Sequence, residues 1–190
     1  MPEHGRVIAG TARGLRLEAP PTGTRPLADR VKQSLFAALE ADGALDGPFL
    51  DLFAGSGAAG VEALSRGAPR ATFVEHDGRA CEVIGANLRH AHLEGGHVVR
   101  ADVGSFLRRD QPPPEAPFRA ALLDPPYGDQ ILETALQLLG AGADAWLEPE
   151  ATVVAKHFWR DEPGTDFGKL IRQRQKRFGE TVLTFYTREP

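Results

Sequence analysis

From Phe49 onward, short apolar runs alternate with helix-like stretches, and the runs are apolar at nearly every position. Strands are predicted at 49–53, 71–75, 97–101, 120–124 and 151–157, and helices at 58–66, 79–91, 105–109 and 130–139. A strand that is apolar on both faces must be covered on both, and strand–helix alternation supplies the cover. The pattern predicts an α/β fold of Rossmann-like type, a mostly parallel sheet between two helical layers. Two further runs, 169–177 and 180–187, meet at Phe178 and Gly179 and predict a C-terminal antiparallel hairpin, which makes seven strands. The proline-rich stretch 111–117 is predicted to be a loop.

The first 40 residues break this rhythm. Segments 6–10 and 15–18 flank 11–14, where Gly10 and Gly14 suit a turn, so a small β-hairpin is expected. Residues 28–40 predict an amphipathic helix with Val31, Leu35, Phe36 and Leu39 on one face and Asp29 in the first turn, complementing the helix dipole. Residues 1–40 are therefore expected to form an extension on a domain spanning 41–190, a length that suits one core.

Composition excludes several classes. With 42% hydrophobic and 25% charged residues the chain has the balance of an ordinary globular protein. No apolar run approaches the ~18 residues of a membrane span, and residues 1–10 lack the apolar stretch of a signal peptide. One cysteine forms neither an intramolecular disulfide nor a multi-cysteine metal site. The six histidines show no ligand or catalytic spacing and read as surface residues. A cytoplasmic, monomeric protein without a metal or membrane partner is expected.

The net charge of −4 hides an uneven distribution. Residues 1–36 carry six basic and three acidic side chains, residues 156–190 eight and five, and the stretch between them eight and eighteen. Two basic ends flank an acidic centre. Lys169, Arg172, Arg174, Lys176 and Arg177 follow one another without an acid between them, a cluster that can neutralise phosphates.

The first predicted strand runs into Asp51-Leu52-Phe53-Ala54-Gly55-Ser56-Gly57-Ala58-Ala59-Gly60. Gly55, Gly57 and Gly60 spell a G-x-G-x-x-G turn, where a ligand approaches backbone at a helix N-terminus. Asp51 closes one strand and Glu75 the next, and Asp102 follows the third. Carboxylates at three successive strand ends fall on the sheet edge where ligands bind in open α/β folds. A pyrophosphate would be repelled by Asp51, whereas a methionine-type ligand with a sulfonium and an ammonium would be attracted. Glu75 suits ribose hydroxyls, and Asp102 suits an adenine amine.

The fourth strand ends in Asp124-Pro125-Pro126-Tyr127. An exocyclic base amine is a poor nucleophile because its lone pair is delocalised. The Asp124 carboxylate and the Pro125 carbonyl can accept its two N–H groups and aim the lone pair at an electrophile. The prolines fix the backbone, and Tyr127 offers a face for stacking the base.

These residues resemble the class I S-adenosylmethionine-dependent methyltransferases with a D/N-P-P-Y/F motif. Arg6-Val7-Ile8-Ala9-Gly10, Arg13-Gly14, Arg25-Pro26 and Asp29-Arg30-Val31-Lys32-Gln33-Ser34-Leu35-Phe36 resemble more narrowly the N-terminal signature of the RsmD family of bacterial 16S ribosomal RNA guanine-N2 methyltransferases. Asp51 to Gly57, Glu62 to Ala68 and Phe178 to Thr181 extend the likeness over nearly the whole chain. The resemblance implies S-adenosylmethionine as cofactor. Asp51, Gly55 and Gly57 would surround its methionine part, Glu75 its ribose and Asp102 its adenine, and Phe53 and Val103 would also bind the cofactor. Asp124, Pro125, Pro126 and Tyr127 would form the catalytic site. Arg6, Arg13, Arg16, Arg25, Arg30, Lys32, Arg174 and Lys176 would contact 16S RNA or the small subunit. Leu27 departs from the family's usual threonine, and Lys156 stands where an acid is expected.

Three alternatives share parts of this pattern. Another base-amine methyltransferase, acting on DNA adenine N6 or a different RNA guanine, would use the same Asp-Pro-Pro-Tyr. Against a DNA enzyme, no DNA-recognition domain of ~80 residues is present, which favours a structured RNA that supplies recognition itself. A nicotinamide-dependent oxidoreductase would use the glycines, but Asp51 and the Asp124 motif oppose it. A noncatalytic RNA-binding module is opposed by the intact Gly55, Gly57 and Asp124.

Overall fold

The computed structural model describes residues 5–21, 27–126 and 130–190. In chain order its elements are α1 (Asp29–Ala41), β1 (Phe49–Leu52), α2 (Ala58–Ser65), β2 (Ala71–Glu75), α3 (Gly78–His90), β3 (Gly96–Arg100), α4 (Val103–Leu107), β4 (Phe118–Leu123), α5 (Ile131–Ala141), α6 (Ala143–Trp146), β5 (Leu147–Phe158), β6 (Asp166–Phe167), β7 (Leu170–Phe178) and β8 (Thr181–Arg188). The strands form one sheet in the order β3-β2-β1-β4-β5-β8-β7-β6. β1 to β5 run parallel, and β8, β7 and β6 continue the sheet antiparallel.

The central strands are buried on both faces, so the sheet divides two cores. On one side, Leu35, Phe36 and Leu39 of α1, Val61 of α2 and Ile84 of α3 pack with Phe49, Phe73 and Phe185. On the other, Phe106 of α4, Leu136 and Leu139 of α5 and Trp146 of α6 pack with Leu50, Leu52, Val74 and Tyr186. The chain turns from the β1-β2-β3 half to the β4-β5 half between β1 and β4. That strand-order reversal opens a crevice at the carboxyl ends, where Asp51 and Asp124 stand.

Three details differ from the sequence expectation. The sheet has eight strands rather than seven, because the two-residue β6 caps its edge and is too short to carry a periodic signal. The expected N-terminal hairpin is a loop closed by one bridge between Arg6 and Arg16, with Val7 N donating to Leu15 O and Gly14 N to Val7 O. Lys32, expected on an RNA-facing surface, is 1% exposed. Its ammonium donates to the Arg6 carbonyl and lies 3.3 Å from Glu62, so it holds the head of the chain to α2 and is closed to any RNA contact.

Glu62 organises that junction. Completely buried, it accepts from the N–H groups of Ile8 and Ala9 at 2.8 and 3.0 Å and from Arg66 at 2.7 Å. Burial pushes the Lys32 ammonium below its ordinary pKa, and the Glu62 carboxylate opposes that shift.

Candidate active site

The glycine turn after β1 is built by hydrogen bonds that the sequence does not announce. Gly57 is the N-cap of α2 at φ +78°, a left-handed conformation that glycine adopts freely, and a Cβ there would crowd Ile84 and Phe73. Phe53, just past β1, also has positive φ, +65°, a strained conformation for an aromatic residue and one found at ligand sites. Asp51 Oδ2 accepts from Gly60 N at 2.9 Å and so caps α2 from the strand beside it. Glu75 Oε2 accepts from Gly55 N at 2.8 Å and Oε1 from Asp77 N at 2.9 Å, which suspends the turn from the end of β2.

Asn87, which the sequence reading missed, fixes the turn from behind. Its side-chain amide donates to Ser56 O and to Glu18 O, both at 3.0 Å, and its oxygen accepts from Glu18 N at 2.8 Å. The extension and the glycine turn therefore share one buried amide. The only sequence signal for this is a polar residue, Asn87, beside Leu88 on the apolar stripe of α3.

A pocket opens in front of the turn, lined by Leu27, Asp51, Phe53, Ala54, Gly55, Ser56, Ala58, Ala59, Leu122 and Asp124. It holds two carboxylates and no basic residue among its described lining. Burial pushes the Asp51 carboxyl well above its ordinary range. The Gly60 N–H opposes this, and the charges of Asp124 and Glu75 add to it. A site crowded with negative charge favours a cation and disfavours a pyrophosphate. Leu27 is buried and contributes an aliphatic wall to this pocket.

A second cleft of about 220 Å³ adjoins it, lined by Pro125, Pro126, Gln130, Leu132, Glu133, Lys156, His157, Phe158, Asp161, Glu162 and Pro163. Asp124 lines the first cavity, and its chain neighbour Pro125 and its partner Lys156 line the second. Lys156, from β5, donates to Asp124 Oδ1 at 2.5 Å. Burial raises the Asp124 pKa, and the Lys156 charge and hydrogen bond pull the other way.

His157, expected at the surface, is 3% exposed. Its Nδ1 meets Phe158 O at 2.8 Å and its Nε2 meets Thr184 Oγ1 at 2.7 Å. A carbonyl can only accept, so Nδ1 carries the proton and Thr184 donates to Nε2. Burial lowers the His157 pKa, consistent with a neutral ring.

The other expected site residues fall into three groups. Asp102 caps α4, its Oδ1 accepting from Ser105 N at 2.8 Å, and Val103 is buried behind it. Neither these two nor Glu75 and Gly57 line the pocket around Asp51; they stand along the carboxyl edge of β2 and β3 and behind the turn. Arg6, Arg13, Arg16, Arg30, Arg174 and Lys176 are all exposed. Arg6 pairs with Asp29 at the start of α1 and Arg174 with Asp42 just past its end, so the two basic groups flank a 13-residue helix ~20 Å long. Tyr127 and Arg25 lie outside the described residues.

Residues 5–187 match the family described as Conserved hypothetical protein 95. Ribosomal RNA small subunit methyltransferase D of Escherichia coli (strain K12) is 35% identical over 185 residues, covering 97% of this chain and 90% of that protein. The solved structure of yhhF from Escherichia coli superposes with a TM-score of 0.86 and 33% identity, over 98% of both chains. An RNA methyltransferase from Salinibacter ruber, solved in complex with S-adenosyl-L-homocysteine, shares the fold at a TM-score of 0.60 and 19% identity, over 86% of this chain and 94% of that one. The chain belongs to the Conserved hypothetical protein 95 family, the RsmD family that its N-terminal signature resembles.

Proposed function

We propose that the protein transfers a methyl group from S-adenosylmethionine to the exocyclic N2 amine of a guanine in 16S ribosomal RNA. The observation that carries this reading is the position of Asp124, which lines a pocket with two carboxylates and no basic residue among its described lining and directly precedes Pro125 and Pro126 of the second cleft. The family membership supports the ribosomal substrate, and such a substrate supports a cytoplasmic location. Residues 1–40 are read as an extension that grips RNA through Arg6, Arg13, Arg16 and Arg30, with Arg174 and Lys176 assisting from β7.

The residues fit the cofactor by charge. When bound, S-adenosylmethionine supplies an electrophilic methyl group on a cationic sulfur. Asp51 and Asp124 offset positive charge in the methionine pocket, and Gly55 lets the ligand approach the backbone. Glu75 accepts from Gly55 at Oε2 and from Asp77 at Oε1, with His76 Nδ1 3.0 Å from that same Oε1, which leaves the second lone pair of Oε2 for a ribose hydroxyl. Asp124 accepts an amine N–H and orients the lone pair. Its burial-raised proton affinity suits it to take the proton that the amine sheds. A paired base cannot reach the cleft, so the target must be unpaired or flipped.

A direct test of the cofactor reading is calorimetry with S-adenosylmethionine and with NAD. The expected result is saturable binding of the first and none of the second, and the reverse would return the glycine turn to a dehydrogenase.

The raised pKa of Asp51 gives a pH dependence with a definite sign. The ligand-free fold favours protonated Asp51, so its contribution to stability is present at low pH. That contribution is lost as pH rises from the ordinary carboxylate value of ~3.9 through the raised folded value. S-Adenosylmethionine favours the ionised form, so its affinity should increase with pH across the same window. Calorimetry over that range should show this trend in the wild type and a shallower one in Asp51→Asn, where Asp124 alone titrates.

Lys156→Met removes the cation that opposes the rise of the Asp124 pKa. The acid limb of the kcat/KM profile should move to higher pH. An unchanged limb would mean that Lys156 does not govern the ionisation of Asp124.

A further inference from the structure

One surface feature remains unused by this chemistry. Trp159 is the exposed large hydrophobic residue among the described residues, at 36% exposure. It lies one residue past the end of β5. Asp161 N donates to Phe158 O at 3.0 Å, which closes a four-residue turn with Trp159 and Arg160 at its central positions. Trp159 N donates to Glu180 O at 2.9 Å, which ties this turn to the tip of the β7–β8 hairpin.

Two guanidinium groups stack on the indole, Arg160 at 4.7 Å and Arg177 at 4.6 Å from ring centroids. Arg177 is itself held by a 2.7 Å bond from Nε to Gly179 O. The Phe158 ring lies 6.0 Å from that of Trp159 and borders the second cleft. A partly exposed indole beside two arginines, on turns fixed by backbone bonds, is preorganised to receive a partner. Of the acids beside it, Glu162 is engaged by Arg172 and Gln175, whereas Asp161 and Glu180 are exposed. Arg174 and Lys176 extend the positive charge along β7.

We propose that Trp159, Arg160 and Arg177 form a stacking platform for an unpaired RNA base next to the target nucleotide. Indole rings and guanidinium planes both stack on nucleobases, and the guanidinium charge also meets the phosphate. Trp159 lies three residues along β5 from Lys156, which touches Asp124. At ~3.3 Å per residue the Trp159 backbone is ~10 Å from that of Lys156, the scale of a neighbouring nucleotide. The platform positions RNA and takes no part in the transfer. This inference rests on the proposed RNA substrate.

Two measurements test it separately from that substrate. The first is quenching of tryptophan emission by a single-stranded 12-nucleotide RNA. The other tryptophan, Trp146, is 3% exposed and serves as an internal constant. Saturable quenching is expected in the wild type and should vanish in Trp159→Phe. The second is steady-state methylation of small-subunit RNA. Trp159→Ala should raise KM by about 5- to 150-fold, the equivalent of ~1–3 kcal/mol for one stacked base, with kcat within about twofold. Trp159→Phe, which keeps a ring, should restore most of KM, and that rescue separates stacking from misfolding. Wild-type transfer with neither quenching nor a change in KM would overturn the platform and leave the methyltransferase reading intact. A KM effect on assembled subunits but not on naked RNA would overturn it in favour of a protein contact. Absence of wild-type transfer would sink the substrate reading, and the quenching result alone would then decide whether the platform binds RNA.

Discussion

Asp124→Ala is expected to lower kcat by at least about 10²- to 10³-fold, the loss seen when one preorganised group that stabilises developing charge is removed. Asp124 lines the first pocket, and Lys156, which lines the second, donates to it from β5. Without the carboxylate an incoming amine loses its acceptor and faces an ammonium. That arrangement opposes the positive charge developing on nitrogen. Affinity for S-adenosyl-L-homocysteine, whose sulfur is neutral, should stay within about threefold, because the glycine turn is held by Asp51, Glu75 and Asn87. Calorimetry on the variant checks the second half. Equal loss of binding and turnover would make Asp124 a structural support of the cofactor pocket.

Glu62→Ala is expected to destabilise the fold by about 3–5 kcal/mol, the range for removing one member of a buried ion pair. The Lys32 ammonium, buried at 1% exposure, would lose its carboxylate, and the N–H groups of Ile8 and Ala9 would lose their acceptor. At ~2–4 °C per kcal/mol for a chain of this size, the melting temperature should fall by roughly 10 °C. The double variant Glu62→Gln with Lys32→Met should recover part of that loss, since it leaves no buried charge at this pair. Denaturant titration of the three proteins measures this. A loss under 1 kcal/mol in Glu62→Ala would show that water reaches this junction and solvates Lys32.

What the sequence reveals follows from where the information lies. β1, β2 and β4 are legible because buried parallel strands are apolar at nearly every position, and Asp51, Gly57 and Asp124 because they stand at or just past the ends of those runs. β6 and α6 are two and four residues long, too short for a period to register. Glu62 and Asn87 are invisible as determinants because their partners, Ile8 and Glu18, are 54 and 69 residues away. Lys32 is a different case. It stands three and four residues before Leu35 and Phe36, on the buried stripe of α1, so its spacing already places it inside. Its charge was the misleading cue, since the carboxylate that makes burial tolerable comes from α2. His157 was likewise set aside by residue type, although it ends an apolar strand and has Thr184 opposite to receive it.

The central claim is that the Asp124 junction methylates a guanine amine of small-subunit RNA. The most direct measurement is transfer of labelled methyl from S-adenosylmethionine to small ribosomal subunits lacking the modification, to naked 16S RNA and to DNA, followed by digestion to nucleosides and identification by mass. The account predicts N2-methylguanosine from a ribosomal substrate, absent with Asp124→Ala. N6-methyladenine from DNA, or a labelled nucleoside other than N2-methylguanosine from the RNA, would contradict it.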